Sequence, residues 1–245
     1  MRVVCLGSTG FHPTETAHTS CFMIPSLGVV FDAGTGFFRV IKHLTTPYLD
    51  IFLSHGHTDH IIGISGIYEI VEMSECKTIR IHGEPQVLDA IKLLFQQPFF
   101  PICPKMEFVP LTNEPLVLQS GAVINNFHLK HRGSCVGYRL EYLNKSIAYV
   151  TDTTSNGKSS YISNIKNVDL LIHELYFGKK NEAISESSGH TCTKGLKELC
   201  TEASINRVVI MHHDPNGDHF ALKKELFSEI PGSEWAEDRS EFLVQ

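Results

Sequence analysis

The sequence has no long hydrophobic run and no paired cysteine motif. Its seven cysteines are scattered without a Cys-x-x-Cys pair, and no apolar stretch approaches the length of a bilayer span. The opening MRVVCLGSTG contains neither an extended apolar segment nor a cleavage site, so we expect no secretory signal. These absences predict a cytoplasmic protein with reduced thiols and no membrane partner.

Basic residues are in the minority. The chain has 21 Lys and Arg against 27 Asp and Glu, which gives a formal net charge of −6. Non-specific binding to long nucleic acid usually requires a basic surface, so this class of function is disfavoured, whereas a small phosphate substrate held by a metal is compatible. The sequence also lacks a low-complexity linker. With 245 residues, 42% of them hydrophobic, we expect one domain that covers residues 1–245.

Segments typical of strands and of helices alternate along the chain. LDIFLSH (49–55) is typical of a buried strand, and the helical spacing of HIIGISGIYEIVEM predicts a helix after it, with Thr58 or Asp59 as N-cap. Further strands are predicted for KTIRIHG, AVINNFHLKH, SIAYVTD, VDLLIHE and RVVIMHH, and helices for PQVLDAIKLLFQQ, TKGLKELCTEA and ALKKELFSEI. This alternation favours a layered α/β sandwich.

Three histidines and one aspartate lie within six positions of the segment DIFLSHGHTDHIIGI. They are His55, His57, Asp59 and His60, and they directly follow the apolar strand. Ionisable side chains at such a place are costly unless something pairs with them. Because histidine nitrogen and carboxylate oxygen are both ligands of Zn²⁺, the cluster predicts a metal-binding loop between a strand and a helix.

Two metal ions would need further ligands, and the ends of later strands offer them at His131, Asp152 and His212. The period of two residues along a strand places His131 on the inward face of its strand and His128 on the opposite face. His128 and His213 stay open as alternatives to their neighbours.

Each of these three residues also has an ordinary interpretation. A single histidine at a strand end is more often a surface histidine than a ligand. Similarly, an aspartate after a strand, as at Asp32 or Asp152, is often only a turn residue.

The residues in this order resemble the metallo-β-lactamase superfamily. The segments LGSTGFHPTETAHTSCFMI, FDAGTG, HRGSCVGYRLE, VTDT, DLLIHELYF and GHTCTKG are similar to motifs of its ribonuclease Z branch, so the resemblance covers the whole chain. It implies a four-layer αββα sandwich with two zinc ions, for which Mn²⁺ or Fe²⁺ could substitute. The implied ligands are His55, His57 and His131 for the first ion, Asp59, His60 and His212 for the second, and Asp152 as the bridge.

A glutamate and a histidine outside the metal shell form an acid–base pair in that branch, and Glu174 and His190 match these positions. A carboxylate that holds an imidazole suits a proton donor to a leaving alkoxide. From the residues alone, Glu174 could also be a helix cap or a surface carboxylate, and His190 an ordinary loop residue.

One departure from the branch concerns the substrate. Its transfer RNA enzymes insert a long arm before the bridging aspartate, but here Tyr138-Arg139 reaches Asp152 through LEYLNKSIAYVT alone. The resemblance therefore implies an armless di-zinc phosphodiesterase, in which a metal-bridging hydroxide attacks phosphorus and Asp59, Glu174 and His190 are catalytic.

The expected partners are a small phosphodiester or cyclic nucleotide, RNA ends as a further substrate class, and a second copy of the chain in a homodimer. Three alternatives stay open: an armless tRNA 3′-end endonuclease, a thioesterase or lactonase on the same metals, and, ranked last, a non-catalytic interaction protein. Phe99 and Phe100, in the segment PFFPICP, could stack on a base or simply pack in their loop.

Overall fold

Fourteen strands and eight helices make up the computed structural model, which describes residues 1–245. The strands are β1 (Arg2–Gly7), β2 (Cys21–Ile24), β3 (Val29–Phe31), β4 (Tyr48–Phe52), β5 (Thr78–Gly83), β6 (Glu107–Pro110), β7 (Leu116–Val117), β8 (Val123–Leu129), β9 (Cys135–Tyr142), β10 (Lys145–Val150), β11 (Leu170–Glu174), β12 (Val208–Met211), β13 (Glu234–Trp235) and β14 (Glu241–Leu243). The helices are α1 (Val40–His43), α2 (Thr58–Ile61), α3 (Ile67–Met73), α4 (Pro85–Leu94), α5 (Ile162–Ile165), α6 (Glu182–Ser188), α7 (Thr193–Glu202) and α8 (His219–Glu229).

The strands form two seven-stranded sheets with the same internal pattern. The first has the order β14-β1-β2-β3-β4-β5-β6 and the second the order β13-β12-β11-β10-β9-β8-β7. In each sheet, three antiparallel pairs lie at one end and three parallel pairs at the other. The carboxyl ends of neighbouring parallel strands meet at one edge of a sheet, which is where open α/β sheets usually place their functional residues.

Three hydrophobic cores separate the layers. Between the sheets, Phe31 stacks on Tyr149 with ring centroids 5.1 Å apart. The outer face of the first sheet packs against α1, α3 and α4, and the outer face of the second packs against α5, α7 and α8. The predicted four-layer αββα sandwich is therefore confirmed.

The segment after β4 differs from its prediction. Instead of one helix it contains α2, a 3-10 turn over residues 62–66, and then α3. The predicted N-cap is also wrong: His57 precedes the first helical residue, Thr58, and makes no side-chain cap hydrogen bond. The carboxylate of Asp59 instead contacts His60 and His212, so it does not cap the helix.

The connection between β9 and β10 is a tight hairpin. Its two linking residues, Leu143 and Asn144, both have positive φ, at 50° and 59°, as a two-residue type I′ turn requires. This is the position at which the sequence predicts that no arm is inserted.

No helix in the structure combines the length and the apolar character needed to cross a membrane.

Candidate metal centre and acid–base pair

The seven predicted metal ligands converge on one pocket. Ligand atoms of His55, His57, His131 and Asp152 lie within 4.8 Å of one another, and so do those of a second group. The second group consists of Asp59, His60 and His212. Five of the seven residues line a cavity of about 520 Å³, while His55 and His60 are buried beneath it. Residues up to 157 positions apart in the sequence thus form one polar centre.

The carboxylate of Asp152 lies between the two groups, with one oxygen facing each. Its Oδ2 is 3.7 Å from Nε2 of His55 and 3.5 Å from Nε2 of His131. Its Oδ1 is 3.2 Å from Nε2 of His60 and 3.1 Å from Nε2 of His212. This geometry suits a carboxylate that is shared by two cations.

Three site residues have backbone conformations that ordinary residues rarely adopt. Asp32, Asp152 and His212 have φ values of 55°, 38° and 51°, and each lies at or just beyond the end of a strand. Such left-handed conformations cost free energy and tend to cluster at functional sites. Here they turn the chain sharply at the sheet edge and direct the side chains into the centre.

Asp32 contacts a candidate ligand, and the sequence did not single it out because its interpretation as a turn residue was equally plausible. Its fully buried carboxylate lies 2.7 Å from Nδ1 of His60. It also accepts hydrogen bonds from the backbone amide of Ser54 (2.7 Å), the hydroxyl of Ser54 (2.9 Å) and the hydroxyl of Tyr149 (2.8 Å). Because His60 donates from Nδ1, Nε2 is the nitrogen that would release its proton and offer a lone pair to a metal ion.

The donor set fits divalent metal ions. Nε2 of His55 and Nε2 of His60 are buried and have no hydrogen-bond partner, which is unfavourable unless something else satisfies them. Burial would raise the pKa of Asp152, but His212, His60 and His55 lower it well below its usual range, so the carboxylate is ionised. Burial would lower the pKa of His60, but Asp152, Asp59 and Asp32 raise it well above its usual range. A cation such as Zn²⁺ would displace that proton, because it binds neutral imidazoles and ionised carboxylates.

The two alternative histidines lie outside the centre. His213 is buried, stacks on Trp235 with ring centroids 4.3 Å apart, and makes a hydrogen bond of 3.1 Å through Nε2 to the carbonyl of Ala236. Burial lowers its pKa to about 3, so it is neutral. His128 is exposed on the other face of β8, as the strand period predicts.

Glu174 and His190 are in direct contact. Nδ1 of His190 lies 3.1 Å from Oε2 of Glu174, and the other oxygen of this buried carboxylate accepts a hydrogen bond of 2.5 Å from the backbone amide of Thr153. Burial would lower the pKa of His190, but the charge of Glu174 opposes this and raises the pKa to about 9. The pair therefore holds a protonated imidazole at the edge of the pocket.

The pocket also contains residues that the sequence did not single out. Tyr176 stacks on His190 with ring centroids 4.6 Å apart, and the backbone amide of Phe11 donates a 2.8 Å hydrogen bond to Oδ2 of Asp59. Arg132 is the third residue of this kind that lines the pocket. In contrast, Phe99 and Phe100 do not line this pocket: Phe99 is exposed and Phe100 packs on Phe95, so the ordinary packing interpretation holds for Phe100.

Comparison with known proteins identifies relatives over the whole chain. A family model described as Beta-lactamase superfamily domain matches residues 28–213. Ribonuclease BN of Escherichia coli O17:K52:H18 (strain UMN026 / ExPEC) is 23% identical, with 100% of each chain covered.

Two solved structures share the fold. The metallo-β-lactamase fold protein YhfI from Bacillus subtilis has a TM-score of 0.81 and 20% identity, covering 99% of each chain. The short form of human tRNase Z has a TM-score of 0.80 and 18% identity, covering 100% of each chain. The predicted resemblance to the ribonuclease Z branch is thereby confirmed at the level of fold and relatives.

Proposed function

The chain belongs to the β-lactamase superfamily, whose metallo-hydrolase fold it has, and we propose that it is a metal-dependent phosphodiesterase acting on small or cyclic phosphodiesters. The observation that carries this proposal is the contact between His190 and buried Glu174 in the pocket that the candidate ligands line. The name of the E. coli relative, a ribonuclease, supports phosphodiester chemistry.

We assign the metal ions to the residues as predicted: His55, His57 and His131 to one, Asp59, His60 and His212 to the other, and Asp152 to both. Bound divalent ions supply positive charge for the phosphoryl oxygens and lower the pKa of the attacking water. The polar contacts that Asp59 makes with Phe11, His60 and His212 all use Oδ2. Oδ1 is therefore available to orient that water or to accept its proton.

His190 donates the proton that the leaving oxygen requires. Glu174 accepts the hydrogen bond of Nδ1 and fixes the orientation of the ring, so that Nε2–H is the donor towards the pocket. When the bond between phosphorus and the leaving oxygen breaks, the proton moves from Nε2 to that oxygen and an alcohol leaves instead of an alkoxide. A positioned acid of this kind typically accelerates a reaction by about 10²–10⁴-fold.

This acid favours phosphodiesters over the thioester alternative. A thiol has a pKa of about 8.5, so a thiolate can leave without a proton. An alkoxide is far more basic and needs a proton as it leaves. A built proton donor is therefore of little use to a thioesterase.

The surroundings of the site support a small substrate. The Leu143–Asn144 hairpin leaves no insertion that could grip a transfer RNA body, and the net charge is negative. The cavity of about 520 Å³ is large enough for a nucleotide-sized group. These features favour a small or cyclic phosphodiester, with RNA ends as a second substrate class.

The decisive experiment measures hydrolysis of bis(p-nitrophenyl) phosphate by zinc-loaded protein, with metal content determined on the same samples. We expect turnover by the wild type, its loss in Asp59→Ala, and its retention in the control Asp89→Ala, which removes an exposed carboxylate on α4. An absence of turnover with metal bound would contradict the proposal, and thioesters and lactones would then be tested.

The metal, the domain and the assembly are tested separately. We propose two zinc ions per chain, which elemental analysis counts, and one domain over residues 1–245, because both sheets contribute ligands. A single cooperative unfolding transition is expected for one domain. The predicted homodimer is tested by light scattering against the chain mass of 27.4 kDa.

A further inference from the structure

Arg132 is the single Lys or Arg side chain that lines the pocket of the candidate metal centre. Arg132 is exposed and so lies at the rim of this pocket, whereas the side chains of Asp59 and Asp152 are only 11% and 3% exposed and form its floor with the histidines. A substrate that places its scissile phosphate on the floor can therefore present another group to the positive charge of Arg132 in the same pocket.

The guanidinium of Arg132 has no carboxylate partner, which is unusual in this chain. Five of the seven arginines form ion pairs with Asp or Glu: Arg2, Arg39, Arg80, Arg139 and Arg207. Acidic residues outnumber basic ones, so carboxylates are not scarce. Arg132 donates one hydrogen bond, from Nη2 to the carbonyl of Ser187 at 2.9 Å, and its remaining N–H groups have no acceptor within the protein.

The loop that carries Arg132 is held on both sides. Before it, the backbone amide of Lys130 donates to Oγ1 of Thr153 at 3.1 Å, and after it the hydroxyl of Ser134 donates to Oε1 of Glu84 at 2.8 Å. The hydrogen bond to Ser187 then restrains the exposed side chain itself. An arginine that is ordered before a ligand arrives loses little conformational entropy on binding.

We infer that Arg132 binds a second, non-reacting phosphate of the substrate, so that the substrate is a phosphodiester with a further phosphate near the scissile one. Guanidinium groups bind phosphate through paired, charge-assisted hydrogen bonds, and a planar fork with free N–H groups is suited to this. The inference rests on the proposed function of the same site. The competing role is structural, in which Arg132 only tethers its loop to the carboxyl end of α6.

The test compares two esters that differ in one phosphate: the p-nitrophenyl ester of thymidine 5′-phosphate, and the same ester with an additional 3′-phosphate. We expect the wild type to prefer the phosphorylated ester in kcat/KM, with the difference mainly in KM. Arg132→Gln should reduce this preference by about 10- to 100-fold, the range expected for hydrogen bonds to a charged group. Arg132→Lys, which keeps the charge but not the fork, should reduce it less.

Arg239→Gln is the matched control. Arg239 also has no carboxylate partner, lies outside this pocket, and loses the same charge on substitution, so the preference should remain. If Arg132→Gln slows both esters equally, or leaves the preference intact, the tether is its only role and the inference is wrong.

The source of the second phosphate is decided with uridine oligonucleotides. A loss of preference for the 5′-phosphorylated dinucleotide over the plain dinucleotide in Arg132→Gln identifies a terminal phosphate on a small substrate. A loss of preference for the trinucleotide over the dinucleotide in this variant identifies the next phosphate of an RNA chain. Either result supports the subsite. If Arg132→Gln keeps the same preferences between these oligonucleotides as the wild type, the subsite is refuted.

Failure of the proposed function would be recognised separately, because the wild type would then hydrolyse neither ester. In that case, calorimetry of adenosine 3′,5′-bisphosphate and adenosine 5′-monophosphate decides the subsite without turnover. The wild type should bind the bisphosphate more tightly, and Arg132→Gln should remove the difference. Equal affinities in the wild type would refute the subsite.

Discussion

Nδ1 of His60 donates to the buried carboxylate of Asp32 at 2.7 Å, and this contact orients the ring in the centre of the site. The same carboxylate accepts from Ser54 and Tyr149, which links both sheets to one candidate ligand. A partner that fixes the tautomer of a metal-binding histidine typically contributes about 10- to 100-fold to metal affinity.

Asp32→Asn should therefore weaken zinc binding by about 10- to 100-fold, because the amide holds the Nδ1–H of His60 less strongly. Competition with a chromogenic chelator measures the affinity. Asp50→Asn is the matched control: Asp50 is also buried in the first sheet and bonded to a histidine, with its Oδ1 2.8 Å from Nε2 of His82, but lies away from the centre. It should lower the free energy of unfolding and leave zinc affinity unchanged; equal weakening in both variants would mean that only general stability matters.

His190→Ala should lower kcat by about 10²–10⁴-fold on phosphodiesters with an alkoxide leaving group, and much less on bis(p-nitrophenyl) phosphate. The reason is that p-nitrophenoxide is a stable anion and leaves without a proton. Steady-state rates on a dinucleotide and on the aryl ester measure the difference. A loss of equal size on both substrates, accompanied by loss of metal, would assign His190 to the metal shell, where its distance to Asp152 and His212 would also allow it.

Glu174→Gln should move the alkaline limb of the pH–rate profile to lower pH. Glu174 raises the pKa of His190 to about 9 against the effect of burial. The protonated form of His190 is the acid, so activity is present below this pKa and is lost as the pH rises through it. Without the charge of Glu174 the pKa is lower and the loss begins earlier. If the alkaline limb stays at the same pH, it does not report the deprotonation of His190.

Gly10→Ala should disturb the second metal position. A Cβ at Gly10 would lie 2.5 Å from Cε1 of His212, so the ring must shift from its present position beside Asp59 and Asp152. We expect loss of one of the two metal ions and at least tenfold lower activity, because misplacement by about 1 Å can cost about 10²-fold. Gly66→Ala is the control, since a Cβ there meets nothing within 4 Å. Full metal content in Gly10→Ala would contradict this account.

The sequence by itself determined the parts of the site that depend on local spacing. His55, His57, Asp59 and His60 lie in six consecutive positions after an apolar strand, so their proximity needs no knowledge of the fold. The alternation of strands and helices likewise predicts layers, and the period of two residues places His128 on the exposed face of β8, opposite buried Phe127 and Leu129.

Only the tertiary structure decided the choices that depend on long-range packing. His212 and His213 are adjacent and chemically identical, but the left-handed backbone at His212 turns its ring into the centre and leaves His213 stacked on Trp235. Asp32 could have been an ordinary turn residue until its partner His60, 28 positions later, was placed beside it. Arg132 has a free guanidinium because no carboxylate packs near it, and a sequence cannot show which neighbours the fold leaves out.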